Sequence, residues 1–471
     1  MFLKYLLFVL INSLISRSYL VSPFDVKLQA PAPAPITPNS EDVGKPLLLT
    51  PLIKSKDIEK ARNLSAVEPL LDGSHIASNS GYFTVNETCN SNLFFWFFRK
   101  NGSDWQNASV LLWLQGGPGA SSLFGLFNEN GPYMYTEKGL QSRNMSWSND
   151  YNVLYIDQPV GTGFSFTDSP HGYIHSQEEV ADHLYEAVTQ FFQLYPELSL
   201  NAFYITGESY AGKYIPAISY KIHRMKMANL SNINLKGLFM ISALTNGLVN
   251  GLANFCFQVG IIDFRFKNEL EKNEKFSELL IRSKSWSLAS KWVDMSLGRI
   301  RNISNVNLYD YRKHSSSQWE GWEFVKFLQF SNIRRKIHVG NTTFDDISNK
   351  VFNDFVEDMA KSVERWIEEL VEHYSIAFVG GQYDVRVAHP LVVNVLTRLE
   401  WSGALGFTRA PISNQFIVDG QEVGYYTSHK TLIDILIRDA GHMVPKDQPR
   451  ATLVALDRFI NNRFSDNLTT T

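Results

Sequence analysis

Short apolar runs, most of them closed by Gly or Pro, recur along this chain with amphipathic helical stretches between them. That alternation constrains the fold more than any other feature. Ser109-Val-Leu-Leu-Trp-Leu114 runs into a glycine cluster, Asn152-Val-Leu-Tyr-Ile156 into Asp157-Gln158-Pro159, and Ala202-Phe-Tyr-Ile205 into Thr206-Gly207. Leu238-Phe-Met-Ile241 and Ser375-Ile-Ala-Phe-Val379 have the same character. Brief, mostly apolar runs of this kind suit strands buried on both faces of a mainly parallel sheet. Between two of them, Ser176-Gln-Glu-Glu179 forms a capping box, followed by Val180, Leu184, Val188, Phe191 and Phe192 at helical spacing. Strand, helix, strand in repetition predicts a doubly wound α/β fold.

The stretch 251–346 breaks this rhythm. It is richer in charge and Trp, carries a helical pattern from Asn268 to Ser283, and shows no parallel-strand run. It reads as a helical cap inserted between two parts of an α/β core, 81–250 and 347–464, with a separate domain as the alternative. Residues 19–80 are an N-terminal extension with a Pro-rich leader, Ala30-Pro-Ala-Pro-Ala-Pro35-Ile-Thr-Pro38, which cannot pack a core. Residues 1–18 have the make-up of a signal peptide: Lys4, an apolar run from Leu6 to Ile15, and small residues at Ser16 and Ser18. The run is far shorter than the ~20 residues that cross a bilayer, so cleavage is expected over an uncleaved anchor. Residues 465–471 are a tail without a retention signal.

Entry to the secretory pathway, ending in secretion or in lysosomes, gives meaning to the Asn-x-Ser/Thr sequons. They stand at Asn63, Asn86, Asn101, Asn107, Asn144, Asn229, Asn302, Asn341 and Asn467. Cys89 and Cys256 are the only cysteines, and with 44% hydrophobic residues the core needs no disulfide between them. A formal net charge of -3 and a pI near 6.4 give no global field that would draw the chain to nucleic acid or an anionic membrane. No segment after the signal is apolar for long enough to span a bilayer.

Gly207-Glu208-Ser209-Tyr210-Ala211-Gly212 follows an expected strand and precedes an expected helix. That is the setting of a nucleophile elbow, where small residues at Gly207 and Ala211 let the chain turn sharply and lift the serine oxygen clear. A serine hydroxyl is a weak nucleophile and needs a base, which itself needs an orienting acid. Asp384 stands just beyond the Ser375–Val379 run, and His442 just beyond the apolar run Leu432 to Ile437. Ser, Asp, His is the chain order of an α/β-hydrolase triad, and both loops sit at strand ends that a sheet can converge on Ser209. Trp113-Leu114-Gln115-Gly116-Gly117-Pro118-Gly119 also follows a strand, but no Lys follows the glycines as a phosphate-binding loop requires. Its backbone N–H groups suit an oxyanion hole instead, pairing Gly117 N–H with Tyr210 N–H. This chemistry calls for no metal and no cofactor. His171 and His175 are four apart, but Pro170 and Gly172 make their segment a loop and not a zinc-binding helix.

A family resemblance rests on four stretches in order. They are Trp113 to Ser122 with Gly131-Pro132, Asp157 to Ser165, Gly207 to Gly212, and Gly441-His-Met-Val-Pro445 with Asp447-Gln-Pro449. They are similar to the serine carboxypeptidases, and matches extend from about Gly81 to Phe464. The low Cys count and Ile337 to Phe344 most resemble the vitellogenic carboxypeptidase-like branch. The resemblance implies an α/β-hydrolase fold and release of one residue from peptide C-termini through an acyl-enzyme on Ser209. It also implies a site for the substrate's terminal carboxylate built from Trp113, Gln115, Gly116 and Glu208, with Glu129 as the acidic partner of Glu208. A charged Glu208 would repel a carboxylate and a protonated one can donate to it, so an acidic optimum is expected.

Several positions depart from the family pattern. Gln115 stands where many members have Asn, and Ala120 replaces the usual Cys. Val385-Arg386-Val387-Ala388-His389 is polar for a prime-side pocket, and Ile241 to Gly247 departs from a Gly-rich turn. Two other readings stay open. The same triad could serve an esterase, amidase or acyltransferase, which fails to need Gln115 and Glu208 facing Ser209. A secreted, non-catalytic relative is the second, and the intact triad residues argue against it.

Overall fold

The computed structural model describes residues 43–71, 76–247, 250–319, 321–410 and 414–464. The signal segment, the Pro-rich stretch, Asn467 and the tail lie outside the described residues. In chain order the strands are β1 (Ala66–Val67), β2 (Ser78–Asn86), β3 (Ser91–Phe98), β4 (Val110–Leu114), β5 (Tyr133–Thr136), β6 (Gly139–Ser142), β7 (Asn152–Ile156) and β8 (Phe203–Glu208). They continue as β9 (Leu235–Ile241), β10 (Val306–Asn307), β11 (Asp310–His314), β12 (Ser375–Gly381), β13 (Asn414–Val418), β14 (Gln421–His429) and β15 (Leu432–Ile437). The pairs β5–β6 and β10–β11 stand apart; the others form one sheet in the order β1-β2-β3-β7-β4-β8-β9-β12-β15-β14-β13.

Neighbours from β7 to β15 through the middle of that order are parallel, and the flanking pairs are antiparallel. β4, β7, β8 and β15 are buried at every position, which is why their sequences read as continuous apolar runs and not as alternations. Successive side chains still point to opposite faces. Phe95, Phe97, Leu112 and Leu114 pack with the helices Gln177–Leu194 and Ala211–Met227 on one side. Phe94, Trp96, Phe98, Leu111 and Trp113 pack with the helix Pro449–Ile460 on the other. Ser176 caps its helix by accepting the Glu179 N–H at 3.3 Å; the Glu179 carboxylate takes the His175 N–H at 2.8 Å, one residue ahead of the cap.

Two expected boundaries move. The core start set at 81 falls inside β2, and folded structure begins well before it. Helices Thr50–Lys54 and Ile58–Ser65 bring Leu49, Ile53 and Ala61 into the main core. Leu49 N–H donates to Tyr82 O and Tyr82 N–H to Leu47 O, each at 3.0 Å, so this segment lies along β2. Helices this short carry too few turns for their apolar spacing to stand out in a sequence window.

The insertion has an apolar cluster of its own. Leu252, Cys256, Phe266, Leu270, Leu297 and Ile300 meet there, from helices Leu252–Gln258, Phe264–Arg282 and Trp286–Ser304. The helix read from Asn268 starts at Phe264, because Asp263 caps it by accepting the Phe266 N–H at 2.7 Å. The insertion's end, set at 346, is also displaced: Phe324, Phe327, Leu328, Ile333 and Ile337 join the main core and not the cap cluster. All described residues lie in one compact unit, and no described helix is long and apolar enough to cross a membrane.

Candidate active site

Because β8, β12 and β15 run parallel, the candidate residues that follow them gather at the same, C-terminal end of these strands. β8 ends at Glu208, the chain turns at Ser209, and a helix starts at Ala211. Ser209 takes a positive φ of 65°, the strained backbone of an elbow. Gly207 is required by contact: a Cβ there would lie 2.2 Å from Leu114 O. Gly116 is required in the same way, because a Cβ there would stand 2.5 Å from Tyr210 N and 2.7 Å from Ser209 Cβ. The glycine-rich loop after β4 therefore lies directly against the elbow. Neither Gly117 N–H nor Tyr210 N–H donates to an acceptor among the described residues.

Asp384 and His442, read from separate loops, meet. His442 Nδ1 is 2.7 Å from Asp384 Oδ2, and both residues are buried. The other carboxylate oxygen, Oδ1, accepts the Val387 N–H at 2.9 Å, which fixes the plane of the carboxylate. A carboxylate on Nδ1 places the imidazole hydrogen there and leaves Nε2 as the acceptor. Nε2 is buried and has no hydrogen-bond partner among the described residues, so it and Ser209 Oγ are not yet bonded. Such bonds are often long before substrate binds. Tyr309, from the insertion, packs its ring 5.1 Å from the imidazole and accepts the His442 N–H on its carbonyl at 2.6 Å.

Next to the elbow lies a buried acidic cluster. Trp113 Nε1 donates to Gln115 Oε1 at 3.0 Å, which orients the amide so that Nε2 donates to Glu208 Oε1 at 3.0 Å and Glu129 Oε1 at 3.3 Å. Trp113 thus reaches the two acids through Gln115. Glu129 arrives on a single π-helical turn, Leu126–Asn130, an uncommon form that often accompanies function. Glu129 and Glu208 are each about 1% exposed. The second carboxylate oxygen of each lacks a donor if both are ionised, while the two side chains lie within hydrogen-bonding reach of each other. A proton held between them resolves both facts. Burial, then the neighbouring Glu129 charge, raises the Glu208 pKa well above the usual carboxylate range, and burial raises that of Glu129.

The loop that carries Gln115 is itself anchored on Asp157, whose carboxylate accepts from Ser121 Oγ at 2.6 Å and Ser122 N–H at 2.9 Å. Ser122 Oγ accepts the Gln115 N–H at 3.1 Å and donates to Ile156 O at 2.6 Å. Burial pushes the Asp157 pKa up to about 6.

Away from this cluster, Asn63, Asn101, Asn107, Asn144, Asn229, Asn302 and Asn341 are exposed, and Asn86 is half-buried with its side-chain oxygen accepting the Cys89 N–H. Cys89 and Cys256 are unpaired. Sequence reading missed Tyr309, whose contact with His442 spans a long stretch of chain and which no motif marks; the turn after β9 stood out only as a departure from a Gly-rich turn, with no contact to His442 assigned to it.

Comparison with known proteins identifies the family and the fold. The family described as serine carboxypeptidase matches residues 69–462. The chain is 40% identical to the venom serine carboxypeptidase of Apis mellifera over 438 residues, covering 90% of this chain and 93% of that one. It is 38% identical over 443 residues to the Homo sapiens protein named probable serine carboxypeptidase CPVL, covering 91% and 92%. With the vitellogenic carboxypeptidase of Aedes aegypti it shares 36% identity over 435 residues, 89% and 91% of the two chains. Among solved structures its fold is similar to Kex1Δp, a prohormone-processing carboxypeptidase from Saccharomyces cerevisiae. The TM-score is 0.77 at 22% identity, over 85% of this chain and 96% of that one. The chain has the α/β-hydrolase fold and belongs to the serine carboxypeptidase family.

Proposed function

We propose that, in this serine-type carboxypeptidase, Ser209 is the nucleophile, His442 the general base and Asp384 the residue that orients it. Ser209 Oγ attacks the scissile carbonyl while His442 Nε2 takes its proton, and the proton then passes to the departing amine as the C–N bond breaks. Water, activated by the same imidazole, releases the acyl group from Ser209. Gly117 and Tyr210 N–H groups, which meet no acceptor among the described residues, hold the oxyanion.

The observation that carries specificity for a free C-terminus is the Gln115–Glu129–Glu208 cluster beside the elbow. The shared proton removes one of the cluster's two negative charges, and on binding that proton and a Gln115 amide hydrogen turn from the two acids to the substrate's carboxylate; Gly116 lets the loop lie close against the elbow, and Trp113 sets the Gln115 amide. Loss of that proton as pH rises returns negative charge and repels the substrate, which gives an acidic optimum. Removal of residues 1–18 and glycosylation at the exposed sequons fit a route through the secretory pathway, outward or to lysosomes.

The deciding assay is release of the free C-terminal amino acid from a blocked dipeptide, run beside its C-terminally amidated twin, with wild type and Ser209→Ala. Hydrolysis of the free acid alone, absent in the variant, is the expected result. Equal hydrolysis of both substrates would replace the carboxylate site by a general esterase or amidase. No turnover of either by the wild type would leave a non-catalytic protein.

A further inference from the structure

The turn after β9 touches every part of the triad region. Ser209 N–H donates to Ile241 O at 3.0 Å, and Ser209 O accepts the Leu244 N–H at 2.9 Å. Between those contacts, Ser242 N–H donates to Val379 O at 2.7 Å, on the strand that leads to Asp384. Ser242 Oγ then donates to His442 O at 2.9 Å. Four consecutive residues thus tie the nucleophile, the acid's strand and the base's backbone into one brace.

Ser242 adopts a left-handed backbone, with φ of 43°, and is about 1% exposed. Glycine takes that conformation without a Cβ penalty and serine does not. A strained residue persists where its surroundings or its use over-determine it. The side chain here has one bond that glycine could not make, the one to His442 O. Tyr309 O holds the N–H of the same residue at 2.6 Å, so the His442 backbone is gripped from both sides and only its ring is left to the triad.

We propose that Ser242 is a positioning residue for His442, its hydroxyl fixing the base relative to Ser209 at the cost of a strained backbone. This rests on the reading of His442 as the general base. Small displacements of a base lower the rate of the chemical step with little effect on ground-state binding, because the Gln115–Glu208 cluster is untouched.

The test uses three variants, to glycine, alanine and threonine, that pull strain and hydroxyl apart. Ser242→Gly removes both; the expected result is kcat roughly tenfold to a hundredfold lower with KM within twofold and a Tm no lower than that of Ser242→Ala, which keeps the strain. Ser242→Thr keeps the hydroxyl and adds a β-branch; kcat is expected within about threefold of wild type with a lower Tm. A Ser242→Gly kcat within twofold of wild type overturns the proposal. So does a loss confined to KM, or a glycine variant that does not fold, since relief of strain is a premise. A Ser242→Thr variant that folds yet loses as much kcat as the glycine variant overturns it too. Ser209→Ala is run alongside: if it is as active as wild type, the triad reading fails first, and if it is dead while Ser242→Gly is fully active, only the brace fails.

Discussion

Replacing Glu208 by Gln separates the charge of the carboxylate site from its hydrogen bonding. Glu208 Oε1 accepts from Gln115 Nε2 at 3.0 Å, while Oε2 is buried without a donor unless a proton lies between it and Glu129. A glutamine side chain keeps an oxygen for Gln115 and offers Glu129 an amide hydrogen, so the bonding survives with no shared proton. Burial first and the Glu129 charge second raise the Glu208 pKa well above its ordinary 4.5. A carboxyl raised in this way contributes its full stability below the unfolded value and loses it as pH climbs through the folded value. Between those two values the loss is about 1.4 kcal/mol per pH unit. At the usual unfolding entropy per residue, that energy moves the Tm of a chain this long by roughly 1–2 °C. The Tm of Glu208→Gln minus that of wild type is therefore expected to widen by that amount per pH unit above the ordinary carboxyl value. Above the folded value, where the Tm difference no longer widens, the wild-type KM for a free-acid dipeptide is expected to rise by up to about tenfold per pH unit as the pair's proton is lost, and the variant's KM to stay flat. Thermal melts and initial rates from acid to neutral pH measure both. A Tm difference independent of pH, or KM curves that rise in parallel, would refute the shared proton.

Other changes test neighbouring parts of the site and fold. Asp384→Asn keeps the shape but removes the charge that places hydrogen on His442 Nδ1, and kcat is expected to fall about 10⁴-fold in dipeptide hydrolysis with little change in KM. Gln115→Leu strands the Trp113 indole N–H and withdraws a donor from Glu208; denaturant titration is expected to show a loss of about 1–3 kcal/mol. Its KM for the free acid should rise at least tenfold, and a KM unchanged within error would remove Gln115 from the carboxylate site. Leu49→Ala deletes a fully buried side chain between the N-terminal segment and β2, and is expected to cost about 2–5 kcal/mol. A cost near zero would mean that this segment only rests on the domain.

Legibility followed sequence distance. β7 and β15 coincide with apolar runs read from the sequence, because strands covered on both faces need continuous apolar residues and little else. The helix after Ser176 was equally plain, since its cap and its apolar stripe are both local. By contrast, the packing of residues 43–71 on β2 and the split of the insertion between two apolar clusters depend on contacts with distant chain segments, which no window of sequence contains. Glu129 came from a family resemblance and not from pattern: a lone Glu before Asn-Gly-Pro reads as a turn until β4 and β8 bring Gln115 and Glu208 to it.

By itself the sequence determined a parallel α/β sheet, a serine on a sharp strand-to-helix turn, and an acid and a base in loops at strand ends. Each of these is a local property, set by which residues a buried strand, a tight turn or a helix start tolerates. Only the tertiary structure decided the rest. The 2.7 Å bond between Asp384 and His442, the burial of Glu129 and Glu208 around the Gln115 amide, and the grip of Tyr309 and Ser242 on the His442 backbone join positions far apart in the chain. Their energies depend on distance and burial in three dimensions, and a parallel sheet, by setting the ends of non-adjacent strands side by side, is what makes those distances short.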